Sequence, residues 1–209
     1  MKIAYAIAAF FFLSLCVAPT LAQSSSSTSD EAPDVRAEGA QYARQLSSSA
    51  PFARQTAAEG LARLAAVEQK KMVEGYLLQE KEKRVRLALN WALYRMGKAE
   101  TLFQVVRDLD SGRHDQALEY LTQLDSPDPL YLFLIQDNTP LKVKLHIVEV
   151  LGDLGNAETV EKIKPFVDHY DPGVSAAAKT ALAQIEHRLA DSKTEGQTRP
   201  RVVTKAREP

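Results

Sequence analysis

The stretch Lys83–Thr101, KRVRLALNWALYRMGKAET, comes round again as Leu141–Thr159, LKVKLHIVEVLGDLGNAET. A chain that repeats itself at this scale is built from stacked copies of one supersecondary unit, because a single copy cannot bury its apolar face. The same register falls at Ala53-Arg54, Val85-Arg86, Val143-Lys144 and Val174-Ser175. The interval from Val85 to Val143 is about twice the other two, which predicts a degenerate unit between them. Arg113–Leu124 fits that place, with Ala117, Leu121 and Leu124 as its apolar positions.

Each clear unit carries a small or aliphatic residue at Ala57, Leu89, Ile147 and Ala178. A leucine follows one turn later at Leu61, Leu93, Leu151 and Leu182, and then an apolar residue at Leu64, Met96, Leu154 and Ile185. This spacing marks one face of a helix packed against its neighbour. No alternation of period two is sustained anywhere between the ends, so the expected fold class is all-α.

The punctuation agrees with helical hairpins. Thr139-Pro140 and Asp171-Pro172 read as N-cap and first-turn proline, Ala50-Pro51 opens a helix similarly, and Asp128-Pro129 opens the run LYLFLI. Gly97 and Gly155 stand where a left-handed residue is expected to end a helix. Second helices are expected to start at Ala99-Glu100-Thr101 and Ala157-Glu158-Thr159, and Pro165 should kink or shorten the latter.

A hairpin of about thirty residues with this pattern resembles the HEAT-repeat family, and more narrowly the short HEAT-like repeats described in phycobilin lyases. The resemblance covers roughly Ser49 to Leu189. It implies a right-handed α-solenoid of about five helical-hairpin repeats whose second helices line a binding surface. The motif is one of packing, so it speaks for fold far more than for function.

The flanks read differently. Lys2 followed by the apolar run Ile3–Ala18 and the small residues near Ala22 has the pattern of a secretory signal peptide over residues 1–22, with Gln23 as the mature start. Retention of this segment as a membrane anchor is the alternative. Cys16, the only cysteine, lies inside the leader after Leu15, a context that disfavours lipidation and leaves the mature chain without thiol chemistry. Residues 23–33 form a Ser-rich linker, 34–190 the repeat domain with an N-terminal capping helix over Asp34–Leu46, and 191–209 a charged tail expected to be disordered. In that tail Arg199, Arg201, Lys205 and Arg207 could touch an acidic partner or be simply solvated. The expected location is export across the cytoplasmic membrane, to the periplasm, with inner-membrane anchoring or secretion as alternatives.

Twenty-six basic residues against 27 acidic give no field for nucleic acid. The four histidines form no HExxH motif, and only the reversed Glu186-His187 and the spaced His146 and Glu149 approach a ligand pair. HEAT-like hydroxylases hold a di-iron centre through repeated His-Glu pairs, which this chain lacks. There is no G-x-S-x-G elbow and no phosphate loop. No catalytic residue, metal or cofactor is expected; an enzyme of the HEAT-like lyase or hydroxylase type is the remote alternative.

The units disagree at Trp91 and Tyr94, which fall where the others carry Glu59, Glu149 and Thr180, and Ala62, Gly152 and Ala183. The pair either fills space beside the degenerate repeat or forms an exposed aromatic anchor. The second helices should present Lys70, Lys71 and Glu74, then Gln104, Arg107 and Asp108, then Glu161, Lys164 and Asp168. This mixed-charge face suits a protein or peptide partner, or is merely solvated. Leu130–Ile135 is apolar all round, and so is expected to be deeply buried or covered by a partner. The resulting expectation is a non-catalytic protein–protein interaction scaffold, with Trp91, Tyr94, Lys71, Gln104, Arg107, Glu161 and Lys164 as its contact residues. A membrane-tethered assembly factor is the second reading.

Overall fold

Most of the apolar stripe expected from the sequence is buried, with Leu64, Leu154 and Leu182 half-buried. Ala57, Leu89, Ala117, Ile147 and Ala178 have no exposed surface, and neither do Leu61, Leu93, Leu121 and Leu151. Each such leucine contributes about 1.5–3 kcal/mol by leaving water. The computed structural model describes residues 35–197, with side chains to residue 192. The leader, the Ser-rich linker and the basic residues Arg199, Arg201, Lys205 and Arg207 lie outside the described residues.

The described residues are helical throughout and contain no strand: α1 Val35–Gln45, α2 Pro51–Arg63, α3 Lys70–Gln79, α4 Lys83–Arg95, α5 Leu102–Arg107, α6 His114–Leu121, α7 Asp128–Ile135, α8 Leu141–Leu154, α9 Ala157–Ile163 and α10 Pro172–Gln197. Single 3-10 turns lead into α3 and α5 and follow α5 and α9. Helix α2 packs on α1 and α4, α4 also on α3 and α5, and α10 on α8 and α9. The degenerate unit contributes α6, which touches both α4 and α8 but more narrowly. The stripe-bearing helices α2, α4, α6, α8 and α10 therefore contact one another in chain order.

Pro165 stops α9 at Ile163 and turns the chain into a 3-10 turn, because its nitrogen has no proton to donate. Asp171 caps α10 by accepting from the Val174 N–H at 3.0 Å. Thr139 makes no such cap; Pro140 itself is the N-cap residue of α8. The last helix runs past the expected boundary at residue 190, because no proline intervenes before Pro200 and a His187–Asp191 pair at 2.9 Å spans the join. Residues 191–197 are thus helix rather than disordered tail.

The helix C-termini hold a second correction. Gly97 is left-handed, with φ 85°, and closes a Schellman motif in which Lys98 N–H donates to Leu93 O and Gly97 N–H to Tyr94 O. The equivalent Ala65 adopts the same region with φ 46° and the same pair of bonds, to Leu61 O and Ala62 O. Gly155 does not. It is extended, with φ −65° and ψ 154°, and hands the chain to Asn156, which caps α9 in a capping box with Thr159. Its carbonyl and that of Gly152 accept instead from Arg188 of α10, at 2.8 and 2.6 Å. Glycine is required at 155 for room, since a Cβ there would lie 2.6 Å from Ile185 Cδ1 and 2.8 Å from Thr159 Cγ2. We expect Gly97→Ala to lower, and Ala65→Gly to raise, the urea-unfolding free energy by about 1 kcal/mol each.

Arg54 and Glu80 tie α2 to the loop before α4. The guanidinium donates to both carboxylate oxygens at 2.7 and 2.9 Å and to the carbonyls of Ser48 and Ser49. Glu80 also accepts from the backbone N–H groups of Lys81 and Glu82. The Arg54 hydrogen bonds hold the Glu80 carboxyl below the usual carboxylate range. Its contribution to stability is therefore complete above the unfolded carboxyl pKa of about 4.3 and is lost as pH falls through the lower folded value. Glu80→Gln should cost about 1–3 kcal/mol near neutrality, and urea titrations at falling pH should show the difference from wild type shrinking.

Candidate functional site

Trp91 is 2% exposed. It lies within the core rather than on the surface, so it is not an exposed anchor. The covering group is Tyr120 of the degenerate unit, whose ring stacks on Trp91 at 5.6 Å with an interplanar angle of 6°. Tyr94 stacks on it as well, at 5.6 Å and 23°, and is itself half-buried. Arg95, held by Asp125 and by the carbonyl of Gln123, places its guanidinium 5.7 Å from the Trp91 ring centroid. A residue standing where other units carry Glu or Thr is thus buried because the next unit lays an aromatic ring over it.

Beside this stack opens a cavity of about 390 Å³, walled by α1, α2, α4 and α6. Tyr42 of α1 crosses flat over Gly60 of α2, where a Cβ would sit 2.5 Å from the ring, so the glycine is what admits it. On the same wall Glu59 is half-buried. Its Oε1 accepts from Tyr120 Oη at 2.6 Å and from Gln55 Nε2 at 2.9 Å, while Gln116 Nε2 donates to the Tyr120 oxygen at 2.7 Å. Burial, and then the bond to Glu59, push the Tyr120 phenol far above its ordinary range, so it stays a neutral donor. Arg63 completes the rim, donating to Glu38 and to Tyr42 Oη at 2.8 and 3.0 Å.

The other expected contact residues are not gathered here. Lys71, Arg107, Glu161 and Lys164 are exposed and Gln104 is half-buried, on α3, α5, α9 and the turn after α9. Glu161 and Lys164 pair with each other at 2.5 Å. Arg107 lines a separate cavity of about 450 Å³ with Phe103, Asn138 and Val143. The run Leu130–Ile135 divides into two faces. Leu130 and Leu134 are fully buried, while Leu132 and Ile135 are 61% and 67% exposed: α7 packs on α8, with Tyr131 reaching Thr159 of α9 and Phe133 lying beside Phe103 of α5, and the remaining face is uncovered.

His114 and His146 meet ring to ring at 4.1 Å and link α6 to α8, each with its Nδ1 beside a carboxylate, Asp115 and Glu149 respectively. Among the described residues no group of three His, Cys, Asp or Glu side chains is placed to hold a metal ion. Nor is any described helix long and apolar enough to cross a membrane. No protein-family model matches the chain, and no curated protein matches it.

Glu59 and Tyr120 were missed by the sequence reading because they belong to different units and meet only through α6. The available signal was that Glu59 occupies the register position of Trp91, one of the two places where the units disagree. Trp91→Ala should cost about 3–5 kcal/mol of stability, and Tyr120→Phe about 1 kcal/mol by unbridging Gln116 and Glu59. Chemical denaturation followed by circular dichroism measures both.

Proposed function

We propose that the chain is an exported, non-catalytic HEAT-like repeat protein that holds a protein or peptide partner. The observation that carries this reading is a pocket built jointly by successive units, with an aromatic floor and charged rim, on helices whose stripe residues pack in chain order. Contact of the stripe-bearing helices in chain order supports a solenoid of short hairpins, in which each unit rests mainly on its neighbours. Aromatic and arginine side chains around a concave site are the usual anchors of protein recognition. The exposed apolar residues Phe103, Leu132 and Ile135 and the mixed charges of Lys71, Gln104, Arg107, Glu161 and Lys164 offer further contact surface on the second helices.

Export to the periplasm rests on the N-terminal sequence alone. The same apolar run supports a second reading, an assembly factor tethered by an uncleaved leader.

Photo-crosslinking side chains placed in turn at Gln104, Arg107 and Glu161, and at Arg44 of α1 as a control, test the binding role in intact cells. A discrete adduct from the second helices and none from Arg44 is the expected outcome; equal or absent labelling from all four positions counts against a scaffold. Intact mass of the purified protein separates the two locations, since a chain beginning at Gln23 removes the tether.

A further inference from the structure

We propose that the pocket beside Glu59 receives the basic side chain of a polypeptide partner, with the Glu59 carboxylate as its counter-ion. This rests on the reading of the chain as a protein-binding module and names the chemistry of one contact.

The argument begins with where the local cations are spent. Arg63 stands four residues after Glu59 in α2, a spacing at which opposite charges commonly pair. It turns away, to Glu38 and Tyr42. Arg95, the other cation of the lining, is committed to Asp125 and the Gln123 carbonyl, with its guanidinium against Trp91. Both arginines are thus neutralised by acids that do not line the pocket. The carboxylates of Glu59 and Glu119 on the lining are left without a paired cation in the described structure.

Glu59 is also held in place. Its two donors, the Gln55 amide and the Tyr120 hydroxyl, are neutral, so they orient the carboxylate without cancelling its charge. A half-buried carboxylate without a counter-ion carries a desolvation cost that an arriving cation offsets. An anionic ligand would add to that cost. The half-buried ring of Tyr42, with the small exposed edges of Trp91 and Tyr120 behind it, suits the alkyl stem of a lysine or arginine, whose charged head would then reach the carboxylate. A cavity of about 390 Å³ accommodates one long side chain and no folded element. Thr56 and Glu119 are exposed at its rim, where they can meet the main chain that carries that side chain.

The chain has one tryptophan, and it lines this pocket, so its emission reports on occupancy. The full-length protein is titrated with a blocked Gly-Ser-Arg-Ser-Gly peptide, with the same peptide carrying Glu in place of Arg, and with spermidine, at matched ionic strength. The expected result is a saturable change in Trp91 emission with the arginine peptide only, weakened about tenfold or more in Glu59→Gln, as the loss of a charge-assisted bond implies. Glu59→Gln keeps the acceptor for Tyr120, and an unchanged melting curve confirms its fold. If it does not fold, the exposed Glu119→Gln replaces it, with a loss of a few-fold expected. Equal response to the glutamate peptide, an unweakened variant, tighter binding of spermidine, or no response at millimolar peptide each overturns the proposal. A silent pocket with persistent crosslinks from the second helices would leave the scaffold reading standing.

Discussion

Side-to-side packing of the stripe-bearing helices is the constraint on which everything else in this molecule depends. Each of α2, α4, α6 and α8 puts a small or branched residue and, one turn later, a leucine into complete burial; α10 buries Ala178 and, two turns later, Ile185, with Leu182 between them half-buried. The contact is broad between α2 and α4 and between α8 and α10, and narrow where α6 meets α4 and α8. The Arg54–Glu80 pair acts at the same level, since its bonds reach Ser48, Ser49, Lys81 and Glu82 and so anchor the loops that precede α2 and α4.

Positions that align in the sequence need not share one backbone solution. Ala65, Gly97 and Gly155 each end a stripe-bearing helix. The first two leave through a left-handed residue that satisfies the orphan carbonyls internally. After α8 the chain leaves extended, Asn156 is free to cap α9, and Arg188 from α10 reaches across to bond the carbonyls of Gly152 and Gly155. A glycine in sequence is therefore ambiguous: it serves conformation at 97 and space at 155 and 60.

The candidate site arises where the units differ. The short α6 brings Tyr120 over α4 and within hydrogen-bonding distance of α2, so a single phenol stacks on Trp91 and orients Glu59. Arg63 and Arg95 line the pocket but pair with Glu38 and Asp125, so the Glu59 carboxylate is oriented by neutral donors and has no paired cation in the described structure. That juxtaposition is the basis on which we propose recognition of a basic side chain.

The sequence by itself determined the helical class, most of the buried apolar positions and the proline stop at Pro165. These depend on residue type and short spacing, which a single helix and its immediate neighbour decide. It also singled out Trp91 and Tyr94 as positions of disagreement between units, without saying which way they face. Tertiary structure decided the rest. Trp91 is buried because Tyr120 lies over it, α10 continues past residue 190 because nothing stops it, and the apolar run of α7 is buried at Leu130 and Leu134, where it packs on α8, but left exposed at Leu132 and Ile135. Glu59 and Tyr42 come from the adjacent helices α2 and α1, but Tyr120 comes from α6, 61 residues beyond Glu59, and no local pattern links it to them. Their meeting depends on how far α6 approaches α4 and α1 approaches α2, a distance set by packing across units rather than by the residues of any one.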